Sequence, residues 1–89
     1  RTTLFFALNR NDVKMAEMLI DNGADINVQD GLGNTPLCFS AQYGHFELVE
    51  LLLSKGADRN IKNLKWKTAL DIAVDKKNAK ITELLKKRE

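Results

Sequence analysis

The sequence predicts an all-α repeat solenoid, a stack of helix–turn–helix units, and three observations lead there. One pattern of residues recurs at a fixed spacing along the whole chain. Each recurrence brings the same turn and cap chemistry with it. The second helix of the unit is apolar around too much of its surface to be covered from one side.

The recurrence is the strongest of the three. Gly23-Ala24-Asp25-Ile26-Asn27 returns as Gly56-Ala57-Asp58-Arg59-Asn60, 33 residues later. The same shift aligns Thr2, Thr35 and Thr68, then Leu4, Leu37 and Leu70, then Phe6, Phe39 and Ile72. It also aligns Met15, Leu48 and Ile81; Glu17, Glu50 and Glu83; and Leu19, Leu52 and Leu85. No gap is needed from one end to the other, and a fixed period of this length marks a repeat architecture.

The middle unit, 30–62, shows what one repeat encodes. Asp30-Gly31-Leu32-Gly33-Asn34 reads as a turn, with glycines for positive φ and Asp and Asn to bond local backbone. Thr35 is a suitable N-cap, and Pro36 is tolerated at the first helical position. A short helix follows from Leu37 to Tyr43, ended by Gly44. A second helix opens at His45-Phe46-Glu47 and runs to about Lys55, with Gly56 as its stop. Phe46, Leu48, Val49, Leu51, Leu52 and Leu53 exceed one apolar stripe, so this helix needs neighbours on both sides.

Through Thr35-Pro36-Leu37, Ala41, Gly44-His45, Leu51-Leu52-Leu53 and Gly56-Ala57-Asp58 the chain resembles the ankyrin repeat family over essentially all of its length. The units are 1–29, lacking its leading turn, 30–62, and 63–89 as a C-terminal cap. The resemblance implies an L-shaped stack. Paired antiparallel helices form one arm, protruding β-turn fingers the other, and a concave face lies between fingers and first helices. It also implies a protein-recognition scaffold, although a fold alone names no partner.

The departures from the family pattern are informative. Phe5, Cys38 and Asp71 occupy the place where the family's histidine ties neighbouring loops, so that inter-repeat bond is lost. Trp66 stands where the middle unit has Gly33, Ala69 stands for Pro36, and Lys77 stands for Gly44. Tryptophan does not take positive φ cheaply, so the last finger is expected to be remodelled. Trp66 then either folds back over the end of the stack, the reading favoured because isolated exposed tryptophans are uncommon, or projects as a partner anchor. Lys86 replaces Ile20 and Leu53, a polar switch suited to a terminal repeat. Leu4-Phe5-Phe6-Ala7-Leu8 stays apolar, which calls for additional repeats or self-association at the N-terminal face.

Composition narrows the function classes. Eighty-nine residues make one small domain, with one cysteine and one histidine. An intramolecular disulfide is therefore excluded, and a His/Cys metal site lacks ligands. A lone thiol fits an intracellular setting, cytoplasm or nucleus. No apolar stretch is long enough to span a bilayer. Cys38 lacks a base positioned to activate it, and His45 reads as a helix-start residue. The glycines of the turn are not a nucleotide fingerprint, because no strand-to-helix unit surrounds them. The sequence thus points to no enzyme, no cofactor and no metal.

The resemblance places the variable positions on the concave face. Partner contacts are expected from Leu32 and Asn34 on one finger and from Leu64, Lys65, Trp66 and Lys67 on the next. Gln42, Tyr43, Asp75 and Lys76 are expected to contribute from the first helices, with Gly31, Asn9 and Arg10 nearby. Charge is uneven: residues 1–58 carry 4 basic and 8 acidic side chains, residues 59–89 carry 10 and 4. A protein or peptide partner, acidic in one reading, is the leading expectation. A substrate-recruiting segment of a larger enzyme, ligase or effector is the alternative. Weak nucleic-acid binding through the basic C-terminal unit is a further one, disfavoured by the absence of a groove-entering motif or an aromatic stacking series.

Overall fold

The computed structural model describes residues 3–86. Three helical hairpins follow one another at the repeat spacing. The first helices are α1 (Thr3–Asn9), α3 (Pro36–Gln42) and α5 (Ala69–Asp75); the second helices are α2 (Val13–Asp21), α4 (Phe46–Ser54) and α6 (Ala79–Lys86). First helices pack in one layer, α1 on α3 on α5, and second helices in another, α2 on α4 on α6. Among the described residues there is no strand.

The helix boundaries follow from local chemistry. The Thr35 and Thr68 hydroxyls accept from the Cys38 and Asp71 N–H groups, and the Asp71 carboxylate returns a bond to the Thr68 N–H, closing a capping box. Asp12 and Asn78 cap α2 and α6 by accepting from Met15 and Ile81. His45 holds the same register at the start of α4 and makes no side-chain cap bond.

Each first helix ends on a residue of positive φ at one register: Asn11 (54°), Gly44 (73°) and Lys77 (57°). The next N–H then folds back five residues, from Asp12 to Ala7, His45 to Ser40, and Asn78 to Ala73. That is a Schellman stop, and its bonds offset the cost of the left-handed residue. Lys77 therefore changes the residue type without changing the turn.

The apolar residues divide into two clusters that meet at α4. Leu48 joins Leu4, Ala7, Leu8 and Ala16, while Val49 and Leu52 join Leu37, Ala41, Ile72, Ala73, Ile81 and Leu85. The two-sided covering read from the sequence of α4 is what the packing shows. Ser40 lies in this core fully buried, and its Oγ has no hydrogen-bond partner. Its repeat equivalents are Ala7 and Ala73.

The fingers are tight turns at 30–34 and 63–67. Asp30 Oδ1 accepts from the Leu32 and Asn34 N–H groups (both 2.9 Å), and Asn63 Oδ1 from Lys65 (2.8 Å) and Lys67 (3.1 Å). Gly33 (φ 79°) donates its N–H to the Asp30 carbonyl, and Trp66 (φ 61°) does the same to Asn63, each at 2.9 Å. The expected remodelling of the last finger is thus corrected. With the Asp30 and Asn63 N–H groups donating to the Asn34 and Lys67 carbonyls, four matching backbone and side-chain bonds hold the turn, and they outweigh a left-handed penalty of about 1–2 kcal/mol.

Gly33 and Trp66 differ in their flanks. The Leu64 N–H donates to the Leu32 carbonyl (3.0 Å), which brings the second finger against the first. A Cβ on Gly33 would lie 2.7 Å from the Leu64 nitrogen. Trp66, on the outer finger, is 78% exposed and meets no such neighbour among the described residues.

Three stability changes are expected in urea unfolding of the whole chain. Gly33→Ala should cost about 2 kcal/mol or more, because steric overlap with backbone adds to the strained φ. Ser40→Ala should stabilise by about 1 kcal/mol, since it removes a buried hydroxyl that bonds nothing. His45→Asn should add about 1 kcal/mol by supplying the cap that Asp12 and Asn78 provide in their repeats. A loss of stability in Ser40→Ala would show that the hydroxyl is satisfied in solution.

Candidate interaction surface

Fingers and first helices face one another across a shallow groove. At one end Asp30 borders it together with Phe5, Phe6, Asn9 and Phe39. At the other, Lys67 reaches from the root of the second finger to the Asp75 carboxylate at the end of α5. That hydrogen bond, and then the charge of Asp75, raise the Lys67 ammonium above the ordinary lysine value of 10.5. A raised lysine contributes fully below its unfolded pKa and loses the contribution as pH climbs through the raised value. The pair is solvent-exposed and screened, so its effect is to orient the finger root.

Most residues selected from the sequence are surface groups. Leu32, Tyr43, Leu64 and Trp66 are 67%, 59%, 72% and 78% exposed. Gly31, Lys65, Asp75 and Lys76 are exposed, as are Asn9 and Arg10, and Gln42 and Lys67 are half-buried. The structure brings Lys67 and Asp75 together as partners of each other.

Two of these readings need correction. Asn34 is only 7% exposed. Its N–H donates to Asp30, and its Oδ1 accepts from the Asn63 amide at 2.9 Å, so it joins the two fingers and offers little to a partner. Trp66 does not fold back over the end of the stack. Its ring stands in solvent with the Lys62 ammonium 5.8 Å from its centroid, within cation–π range.

The seam between repeats is polar after all, with the bonds at other positions than the family's histidine. The Asp58 N–H donates to Asn27 Oδ1 (2.9 Å), and the Gln29 amide donates to the Lys62 carbonyl (3.4 Å). Lys55 joins α4 to the Asp21 carboxylate of α2 at 2.8 Å, which raises the lysine pKa. Arg59, at the register of Ile26, donates to the Leu85 carbonyl at 2.6 Å. Cys38 lies in the core at 1% exposure, with its thiol closed to any substrate.

Sequence reasoning missed the floor of the groove. Phe5 meets Phe39 edge-on at 5.6 Å, Phe39 meets Tyr43 at 4.8 Å, and Tyr43 stacks on His45 at 6.3 Å. Phe39 aligns with Phe6 and Ile72 and so reads as core. Only its spacing of four from Tyr43, one helical turn, signals an aromatic run along the helix face.

Among the described residues, no helix is long and apolar enough to cross a membrane, and no group of three His, Cys, Asp or Glu side chains is placed to hold a metal ion. A family model of ankyrin repeats, in three copies, matches residues 2–89. The chain is also 48% identical over 44 residues to the potassium channel AKT1 of Oryza sativa, in both subspecies indica and japonica. That stretch is 49% of this chain and 5% of each channel, so the likeness reaches one small part of those proteins. Repeats of the matching family generally serve as protein–protein interaction modules, without enzymatic activity of their own. With its period, its turns, its two-layer stack and the family model all in agreement over nearly the whole length, this chain belongs to the ankyrin repeat family.

Proposed function

We propose that the chain, as three units 1–29, 30–62 and 63–89, binds a protein or peptide partner on its finger and first-helix face. The observation that carries this reading is Trp66. It occupies a left-handed conformation that costs a non-glycine residue about 1–2 kcal/mol, yet its ring is exposed and returns no packing to the stack. Gly33 shows that the same turn forms with glycine. A strained residue whose side chain does nothing for the fold is the kind found where a site needs that side chain. Tryptophan is also the residue type that most often dominates an interface.

The surroundings support the same face. Leu32 and Leu64 stand on adjacent finger tips held by a backbone bond, and Tyr43 is exposed at the C-cap of α3. An exposed apolar row on one rigid surface is favourable to bury and costs little ordering on binding. Gln42, Lys65, Lys67, Asp75 and Lys76 supply the polar rim. Asn34 has no place in it.

The test is selection of random displayed peptides against the intact chain, followed by affinity measurement with Trp66→Gly and Tyr43→Ala. Trp66→Gly should unfold at the same urea concentration or a higher one while weakening selected peptides by about 2 kcal/mol, a hot-spot loss. Peptides that bind equally well to both variants would move the site to the α2–α4–α6 side and sink this placement.

A further inference from the structure

Charge divides the finger face, and the division speaks to the chemistry of its occupant. Residues 59–89 hold 10 basic and 4 acidic side chains. The acidic groups around the second finger are engaged. Asp71 accepts from the Thr68 N–H, Asp75 holds Lys67, and Asp58 Oδ1 accepts from the Asn60 N–H. Lys62 and Lys65 beside them are exposed and make no ion pair among the described residues. Two unneutralised ammonium groups therefore flank the row formed by Leu32, Leu64 and Trp66.

We infer that the finger tips receive an acidic segment of a partner protein that also carries large apolar side chains. The inference rests on the finger-face reading above and adds the partner's chemistry to it. The apolar row takes the partner's hydrophobic side chains, and Lys62 and Lys65 take its carboxylates. Lys62 already lies over the Trp66 ring. A carboxylate arriving there meets a cation that the ring holds in position, while the rest of the indole remains open to an apolar group. A nucleic acid fits less well. Its bases stack on aromatic rings, and of the three exposed tip side chains only Trp66 is aromatic.

Trp66 is the only tryptophan of the chain, so its emission reports on this site alone. Three short synthetic peptides serve as probes. They share one leucine and one phenylalanine, and their intervening residues are all glutamate, all serine or all lysine. The glutamate peptide should shift Trp66 emission to the blue, saturate, and weaken as salt rises. The serine peptide should bind about tenfold more weakly, and the lysine peptide more weakly still. Lys62→Glu with Lys65→Glu should invert the order of the glutamate and lysine peptides. If that double variant fails to fold, Lys62→Ser with Lys65→Ser should still abolish the preference for glutamate.

Equal affinity for all three peptides would overturn the acidic partner and leave the finger-face reading standing. No emission change with any of them would overturn both. Tighter binding of oligothymidylate than of the glutamate peptide would overturn the protein partner in favour of single-stranded nucleic acid.

Discussion

Helices of seven to nine residues do not persist in water by themselves, because nucleation costs more than so few hydrogen bonds return. Every helix among the described residues is that short. Each hairpin therefore exists only by stacking on its neighbour, and the stack forms only if consecutive hairpins arrive in register. The 33-residue period is the sequence's answer to that constraint. It places Leu48 of α4 in one cluster and Val49 and Leu52 in the other, so a single helix completes both cores. A shift of one residue in the preceding turn would rotate these side chains by about 100° and leave both clusters open.

The same constraint explains why the turns tolerate so little change in geometry and so much in residue type. The stop after the first helix is built from backbone bonds, and Asn11, Gly44 and Lys77 all serve it. The finger is held by backbone bonds and by the Asp30 or Asn63 side chain, joined in the first finger by the Gln29 amide on the Gly33 carbonyl. Residues 31, 32, 64 and 65 take part in neither set with their side chains. The fingers can thus present many different side chains while the stack beneath them stays the same. The proposed finger-face recognition draws on that freedom.

Much of this was legible in the sequence, and the parts that were not have physical causes that residue type alone does not carry. The repeat, the helix limits, the buried thiol of Cys38 and the two-sided burial of α4 follow from period and residue type, which are local properties. The error at Trp66 arose inside one turn, whose own bonds decide the outcome, and the error at Asn34 arose where a neighbouring repeat does. Tryptophan at a glycine position argued for a changed turn, because residue preference says nothing about how many bonds oppose the strain. Asn34 read as a finger tip, because the Asn63 amide that turns it inward comes from 29 residues further on. The aromatic floor was hidden in the same way: Phe39 lies in a core register, and its contact with Phe5 forms only when α1 packs on α3.

Gly33 and Trp66 make the relation between stack and surface concrete. Both occupy one position of one turn, with nearly the same φ and the same hydrogen bond. At Gly33 a following finger approaches so closely that a single Cβ cannot be accommodated. At Trp66 no such approach occurs among the described residues, and the largest side chain is accommodated. Glycine at this register is thus required by the neighbouring finger more than by the turn itself. Where no following finger comes that close among the described residues, the same left-handed position holds a tryptophan, at a cost of about 1–2 kcal/mol. The stack carries such a cost because its cohesion lies in the two apolar clusters and the polar seam beneath, none of which includes Trp66.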